Sequence, residues 1–289
     1  MKSKQEIQEQ ISALVIKQLE QGIVPWRKPW TSAGYLPTSL TTGKVYGGIN
    51  LLILSIVGSE YSRPLWITYK EAEKRGGNIK RGEKGTGIIK WSIYDKRDKE
   101  TGETHKAFFL KEFTVFNIDQ TEGLTIAEPA KREPVSAPEG IAQLLANYAS
   151  KPEIYHSVSD RAYYSPVLDS IHLPNIDQFT SAEEYALTLA HELTHSTGHQ
   201  SRLDRFSEED APATFGSPVY AKEELVADIG ANMLLNHYGI ETPLENSASY
   251  IAGWLKALNN DTSLILSAST KAQKAVDYMT NKVREEVAA

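Results

Sequence analysis

A chain of 289 residues and 32.1 kDa, 40% hydrophobic and 24% charged, has the composition of a globular protein with room for one large or two moderate domains. Its longest apolar runs, such as Leu51 to Leu54, fall far short of the roughly 18 residues that suggest a membrane span, and the absence of cysteine excludes disulfides and Cys-ligated zinc. The formal charge of −6 divides unevenly: residues 1–126 hold 19 basic and 14 acidic side chains, whereas residues 127–289 hold 12 and 23, so only the first part suits a polyanionic partner.

The first 22 residues carry charge where a secretory leader would be apolar, and Ile7, Ile11, Leu14, Val15 and Leu19 trace the stripe of a helix that Gly22 would end. No leader is expected. With the missing cysteines this points to the cytoplasm. Between Pro25 and Tyr94, Trp26, Trp30, Tyr35, Tyr46, Tyr61, Trp66, Tyr69, Trp91 and Tyr94 alternate with Arg27, Lys28, Lys44, Arg63, Lys70, Arg75, Lys80, Arg81, Lys84 and Lys90. Rings beside cations are what sequence-tolerant single-strand binding requires, although the same rings also build cores.

Thr68 and Glu71 form a capping-box pattern before a short helix that Gly76-Gly77 would stop. Two β-rich runs, Gly87 to Tyr94 and Ala107 to Ile118, flank a turn-rich segment and predict a hairpin. Ala127 to Gly140, with three prolines and mixed charge, reads as a linker. The expected division is therefore domain 1–126, linker 127–140 and domain 141–289. The fold class is α+β, with an α+β first domain and a mainly helical second domain that opens with a strand region from Tyr163 to Leu173.

In the second domain, Thr180 or Ser181 would cap a helix with Glu183 or Glu184 three residues on, and Gly198 would stop it. His191 and His195, four apart, project from one face beside Glu192. This H-E-x-x-H pattern suits zinc or another divalent metal, with Glu192 as general base toward an attacking water. A second helical segment, YAKEELVADIGANMLLNHYG, places Glu224 and Asp228 four apart. Glu224 can supply the third ligand and Asp228 can accept the free N–H of a ligating histidine. In this the chain resembles the thermolysin-like gluzincins. Glu223 is the rival ligand, but five residues before Asp228 it is expected on a different face. Ser201 stands where another zinc superfamily has its third histidine, so His199 is left as a turn residue. Tyr163, Tyr164 and Tyr220 could donate to an oxyanion, with aromatic packing the plainer reading.

The order of segments also resembles a known family. QGIVPWRKPW, the GKVYGGINLLIL run, WITYKEAEKRGGNIKRGEKGTGIIKW and FNIDQTEGL, then YYSPVLDSIHLP, HELTHSTGHQSRLDR, YAKEELVADIGA and YIAGWLKALNND, match the ArdC-type antirestriction proteins of conjugative plasmids over nearly the full length. The resemblance implies an N-terminal single-stranded-DNA-binding domain, shared with some plasmid primases. It further implies a C-terminal zincin-like metallopeptidase domain related to that of Spartan-type proteases, and protection of incoming plasmid DNA from host restriction. His191, Glu192, His195 and Glu224 carry over by motif, and Trp26, Arg27, Trp30 and Lys84 as DNA contacts. Three readings follow: protection by DNA occupancy; a DNA-associated zinc metallopeptidase cutting a restriction subunit or other protein; and a primase accessory module, which lacks a recognisable two-metal acidic cluster. No membrane partner is expected.

Overall fold

The computed structural model describes residues 2–27, 36–97, 104–126, 135–206, 218–243 and 248–282, with side chains of 91–97, 104–109, 218–220 and 248–250 left aside. The fold is α+β and comprises two compact units, the first gathering residues 2–4 and 36–126, the second residues 5–27 and 135–282 where described. Helix α1 (Lys4–Glu20) buries Ile7, Ile11, Val15 and Leu19 as its stripe predicts. Ser12 is buried as well, while Leu14 is only half-buried. Gly22, at φ +75°, stops the helix in the left-handed conformation that glycine adopts without cost. This helix and Trp26 belong with the second unit, which differs from the expected division at 126.

In the first unit, β1 (Thr38–Ser39), α2 (Gly48–Gly58), β2 (Leu65–Ile67), α3 (Tyr69–Lys74), β3 (Asn78–Ile79), β4 (Thr86–Arg97), β5 (Thr104–Asn117) and β6 (Thr121–Glu122) follow one another. A four-stranded sheet has the order β1-β2-β5-β4, and β3 pairs with β6. The predicted hairpin forms, longer than expected, with Ile89 opposite Glu112 and Lys90 opposite Lys111. Because α2 is apolar around most of its circumference it is a core helix, burying Leu51, Leu52, Ile53 and Leu54. Its Asn50 satisfies the backbone of β4 as a neighbouring strand would, donating to Ile89 O at 2.7 Å and accepting from Ile89 N at 2.9 Å. Trp66 is wholly buried against Leu54 and Val115, with Tyr61 edge-on at 5.8 Å. Thr68 caps α3 by accepting from Glu71 N at 3.4 Å. The reciprocal half of the box is not made, because Glu71 takes the Lys74 ammonium at 2.7 Å instead.

The second unit adds α4 (Ala137–Asn147), β7 (Glu153–Ser157), β8 (Tyr163–Ser165), β9 (Ser170–Pro174), α5 (Ala182–Ser196), α6 (Pro218–Tyr238), α7 (Ala248–Asn260) and α8 (Leu264–Met279). Residues 137–140 of the expected linker are the first turn of α4, with Pro138 in the position where a missing N–H is harmless. Residues 127–134 lie outside the described residues. The sheet has the order β7-β9-β8, with β7 parallel and β8 antiparallel to β9. Strand β7 has no signal in the sequence. Its alternate residues are largely exposed, so no apolar period marks it.

Helix α6 packs on α5 and α8, and its Leu225, Ala227, Ala231 and Leu234 are fully buried. A Cβ on Gly230 would stand 2.6 Å from Thr194 Cγ2, so glycine there is what lets α6 approach α5 closely. The hairpin turn between β8 and β9 is tied to the segment after α5: both terminal nitrogens of Arg202 bind the Asp169 carboxylate at 2.8 Å. Burial pushes the Asp169 carboxyl up, but the Arg202 and Tyr164 hydrogen bonds and the Arg202 charge outweigh it and hold it below the usual carboxylate range. A depressed native pKa means the unfolded chain binds more protons in acid, so this stabilisation is complete at neutral pH and is lost as pH falls through and below the ordinary carboxylate pKa. The difference in unfolding free energy between wild type and Arg202→Met, read from denaturant curves, is expected to be largest near pH 7 and to shrink below about pH 4.

Candidate metal centre

The helix that presents the histidines starts as its cap residues dictate. Ser181 accepts from Glu184 N at 3.1 Å, and the Glu184 carboxylate takes Thr180 N at 2.9 Å, so of the alternatives the pair Ser181 and Glu184 is used. The helix ends at Ser196, two residues before Gly198. Gly198 matters for steric reasons rather than for its backbone conformation: a Cβ there would lie 2.5 Å from the Phe206 ring.

One turn apart, His191 and His195 bring their Nε2 atoms to 3.1 Å of each other. From α6, Glu224 Oε2 reaches His191 Nε2 and Oε1 reaches His195 Nε2, both at 3.4 Å. One donor atom from each of the three lies within 4.8 Å of the others, a set that could hold a metal ion. Two imidazoles and one carboxylate on rigid helices are the donor chemistry of a borderline divalent cation with an open position. Glu192, on the same helix, is 6% exposed.

The electrostatics are those of a cation site. Burial pushes Glu224 up, yet the hydrogen bonds and charge of His191 and His195 hold its carboxyl far below the usual range. Burial lowers His195, but hydrogen bonds to Glu223 and Glu224 and the charges of Glu223 and Glu192 raise it to about 10. Glu223 is paired with Arg205 and Asp228 with Arg27, while Glu224 faces the two histidines.

The partner expected for Asp228 is corrected, and Glu223, though outside the set of three donors, also reaches His195. Asp228 does not accept from a histidine: Trp26 Nε1 donates to its Oδ2, and Arg27 Nη2 stands 3.5 Å from its Oδ1. Glu223, expected on a different face, instead accepts from His195 Nδ1 at 3.3 Å. Arg205 in turn donates to Glu223 from Nη2 at 2.6 Å and from Nε at 3.2 Å. Arg205 went unnoticed in the sequence, although it ends the HELTHSTGHQSRLDR segment; no spacing rule connects it with a residue 18 positions away. His199 shares a hydrogen bond with Ser201 in the turn, Tyr164 donates to Asp169, and Tyr163 stacks on His172. The Tyr220 side chain is not described.

The candidate DNA contacts separate in the same way. Trp26 is 3% exposed, edge-on to Trp254 at 5.0 Å, and Arg27 is engaged with Asp228, so both serve the second unit's interior. Trp30 lies outside the described residues. Lys84 is exposed, on a loop pinned from beneath by buried Gln120, which donates to Glu83 Oε2 at 2.8 Å and to Lys84 O at 2.9 Å. Trp26→Ala is expected to cost about 3–5 kcal/mol of unfolding free energy, the usual range for emptying a buried tryptophan site. Chemical denaturation measures it; a stable, well-folded variant that had lost DNA affinity would reverse this assignment.

The fold and the site define a two-part protein whose C-terminal part is zincin-like: residues 141–271 match the zincin-like metallopeptidase family, and residues 5–116 match the N-terminal domain of the anti-restriction factor ArdC. A DNA primase TraC of Escherichia coli is 40% identical over 96% of this chain, which spans only 27% of that relative's length. The metal-free crystal structure of the antirestriction ArdC protein from plasmid R388 is 38% identical, with a TM-score of 0.77 over 95% of this chain and 97% of that one. Its Mn(II)-bound structure is 36% identical, with a TM-score of 0.76 over 96% and 98%. The chain belongs to the ArdC family of antirestriction proteins. Among the described residues no helix is long and apolar enough to cross a membrane.

Proposed function

We propose that this protein binds single-stranded DNA through its first unit and one zinc-class ion through His191, His195 and Glu224, and that it shields incoming conjugative plasmid DNA from host restriction by occupying it. The observation that carries the reading is the likeness to an antirestriction protein over 97% of that protein's length, at 38% identity. The Mn(II)-bound relative supports a divalent ion here, and the donor set favours zinc among those available in a cell. In the first unit Lys44, Lys70, Arg81 and Lys84 are exposed, with the half-exposed ring of Tyr69 next to Lys70, the pairing of cations and a stacking surface that single strands require. Lys84 and Arg81, on the loop held by Gln120, are assigned to phosphate. Arg81→Ala/Lys84→Ala in the full chain is expected to weaken oligonucleotide binding for every sequence and to flatten the plot of log K against log salt by about 1.4, for two contacts at roughly 0.7 each. An unchanged slope by fluorescence anisotropy would remove these two residues from the interface.

A second reading, a DNA-associated zinc metallopeptidase acting on a restriction subunit or another bound protein, is favoured by Glu192. A structural metal site needs no general base, yet a buried glutamate lies between the two ligating histidines in the helix. When bound, the metal would supply a Lewis acid and lower the pKa of a coordinated water to about 7. Glu192 would take the proton from the attacking water, and Glu224 and the two imidazoles would fix the geometry. A primase accessory role rests only on the likeness to a quarter of TraC and is the weakest reading.

A further inference from the structure

Two adjacent carboxylates of α6 reach one histidine pair, yet a set of three protein ligands has room for only one of them. Glu224 faces both Nε2 atoms, while Glu223 lies against the opposite edge of the His195 ring, at Nδ1. What separates them is Arg205, whose side chain is 6% exposed. It engages both oxygens of Glu223, and the same guanidinium is anchored to α5 just around His195, donating from Nη2 to Thr194 O at 3.0 Å and from Nη1 to Thr197 Oγ1 at 2.6 Å. A planar fork bound to two oxygens at one end and to a helix terminus at the other has little freedom to move.

We propose that Glu223 and Arg205 are positioning residues that decide how this centre is built. Arg205 holds Glu223 so that it accepts the Nδ1–H of His195, which leaves Nε2 with its lone pair toward the ion and Glu224 as the one carboxylate ligand. The inference rests on the reading of His191, His195 and Glu224 as a metal site. A lysine at 205 keeps the charge but cannot bind both oxygens of Glu223 while also reaching Thr194 and Thr197. Without the fork, Glu223 is free to turn toward the same cation, and His195 loses the partner that fixes its tautomer and orientation.

The test uses the full chain with Zn(II) and Mn(II), comparing wild type, E224Q, E223Q, R205Q, R205K and R205Q/E223Q by competition with a chelator. Glu224→Gln is expected to remove tight binding. Glu223→Gln and Arg205→Gln should each weaken it by roughly 10–100-fold, and the double variant should be no weaker than the worse single, because the pair acts as one device. In nitrogen-edited NMR of the zinc-loaded protein, the hydrogen-bonded Nδ1–H signal of His195 should be present in wild type and shifted or lost in E223Q and R205Q. A purely structural role would leave that signal in place. If R205Q does not fold, R205K and E223Q carry the comparison. Wild-type affinity and an unchanged His195 signal in E223Q, with binding lost in E224Q, would overturn this inference alone; a wild-type chain that takes up neither ion would overturn the underlying reading and this inference with it.

Discussion

The double substitution His191→Ala/His195→Ala is expected to yield a chain with no stoichiometric metal, against one zinc-class ion per wild-type chain. The three donors come from two helices whose spacing is set by the Gly230 and Thr194 contact, so Glu224 alone cannot hold an ion that needs three convergent groups. Stability should show the same loss. Metal at a hundred times its dissociation constant stabilises a folded protein by about 2.7 kcal/mol, and the double variant should melt at the same temperature with and without added metal. Elemental analysis after exhaustive dialysis decides the matter, and full occupancy in the double variant would place the ion elsewhere.

Glu192→Ala separates the two functional readings. The substitution keeps all three donors, so metal and DNA binding are expected to persist. Any peptide hydrolysis should fall by on the order of 10²–10⁴, the usual contribution of a positioned base. If occupancy protects DNA, restriction evasion in a conjugation assay stays at the wild-type level, and that is the expected result. Because Glu192 is buried, Glu192→Gln, which preserves its volume, serves as the control for packing. A metal-loaded, well-folded variant that no longer protects DNA would make hydrolysis the function and DNA binding its means of reaching a substrate.

Features with a local cause were legible in the sequence. The stripe of α1, the β4 and β5 hairpin, the Ser181 cap and the two histidines one turn apart follow from periodicity and short-range hydrogen bonding. The approach of Glu224 could be anticipated because it too rests on a helical repeat. Partnerships across the chain could not. Spacing assigns Asp228 to a histidine, but a buried carboxylate is satisfied by whichever donor the packing brings, and here that is an indole 202 positions away. A helical wheel separates Glu223 from Asp228, yet Glu223 reaches the far edge of His195 while bound to Arg205. The tryptophans show the same limit. Trp26, next to Arg27, and Trp66, between Arg63 and Lys70, are interleaved with cations as DNA-stacking residues would be, and both are interior residues, since composition does not distinguish a ring on a surface from a ring in a core.

The discontinuity of the second unit bears on how the protein is made. At about 5–20 residues per second, roughly 10–40 s pass between the emergence of Trp26 and that of Asp228, its hydrogen-bond partner 202 residues later. During that interval the sheet and α2 of the first unit are complete in the nascent chain and free to fold. Over the same interval Ile7, Ile11, Val15 and Leu19 present an apolar helix face whose unit is not yet synthesised. Helix α1 is therefore the segment that nascent-chain chaperones would be expected to hold, and slowing translation should lengthen its exposure.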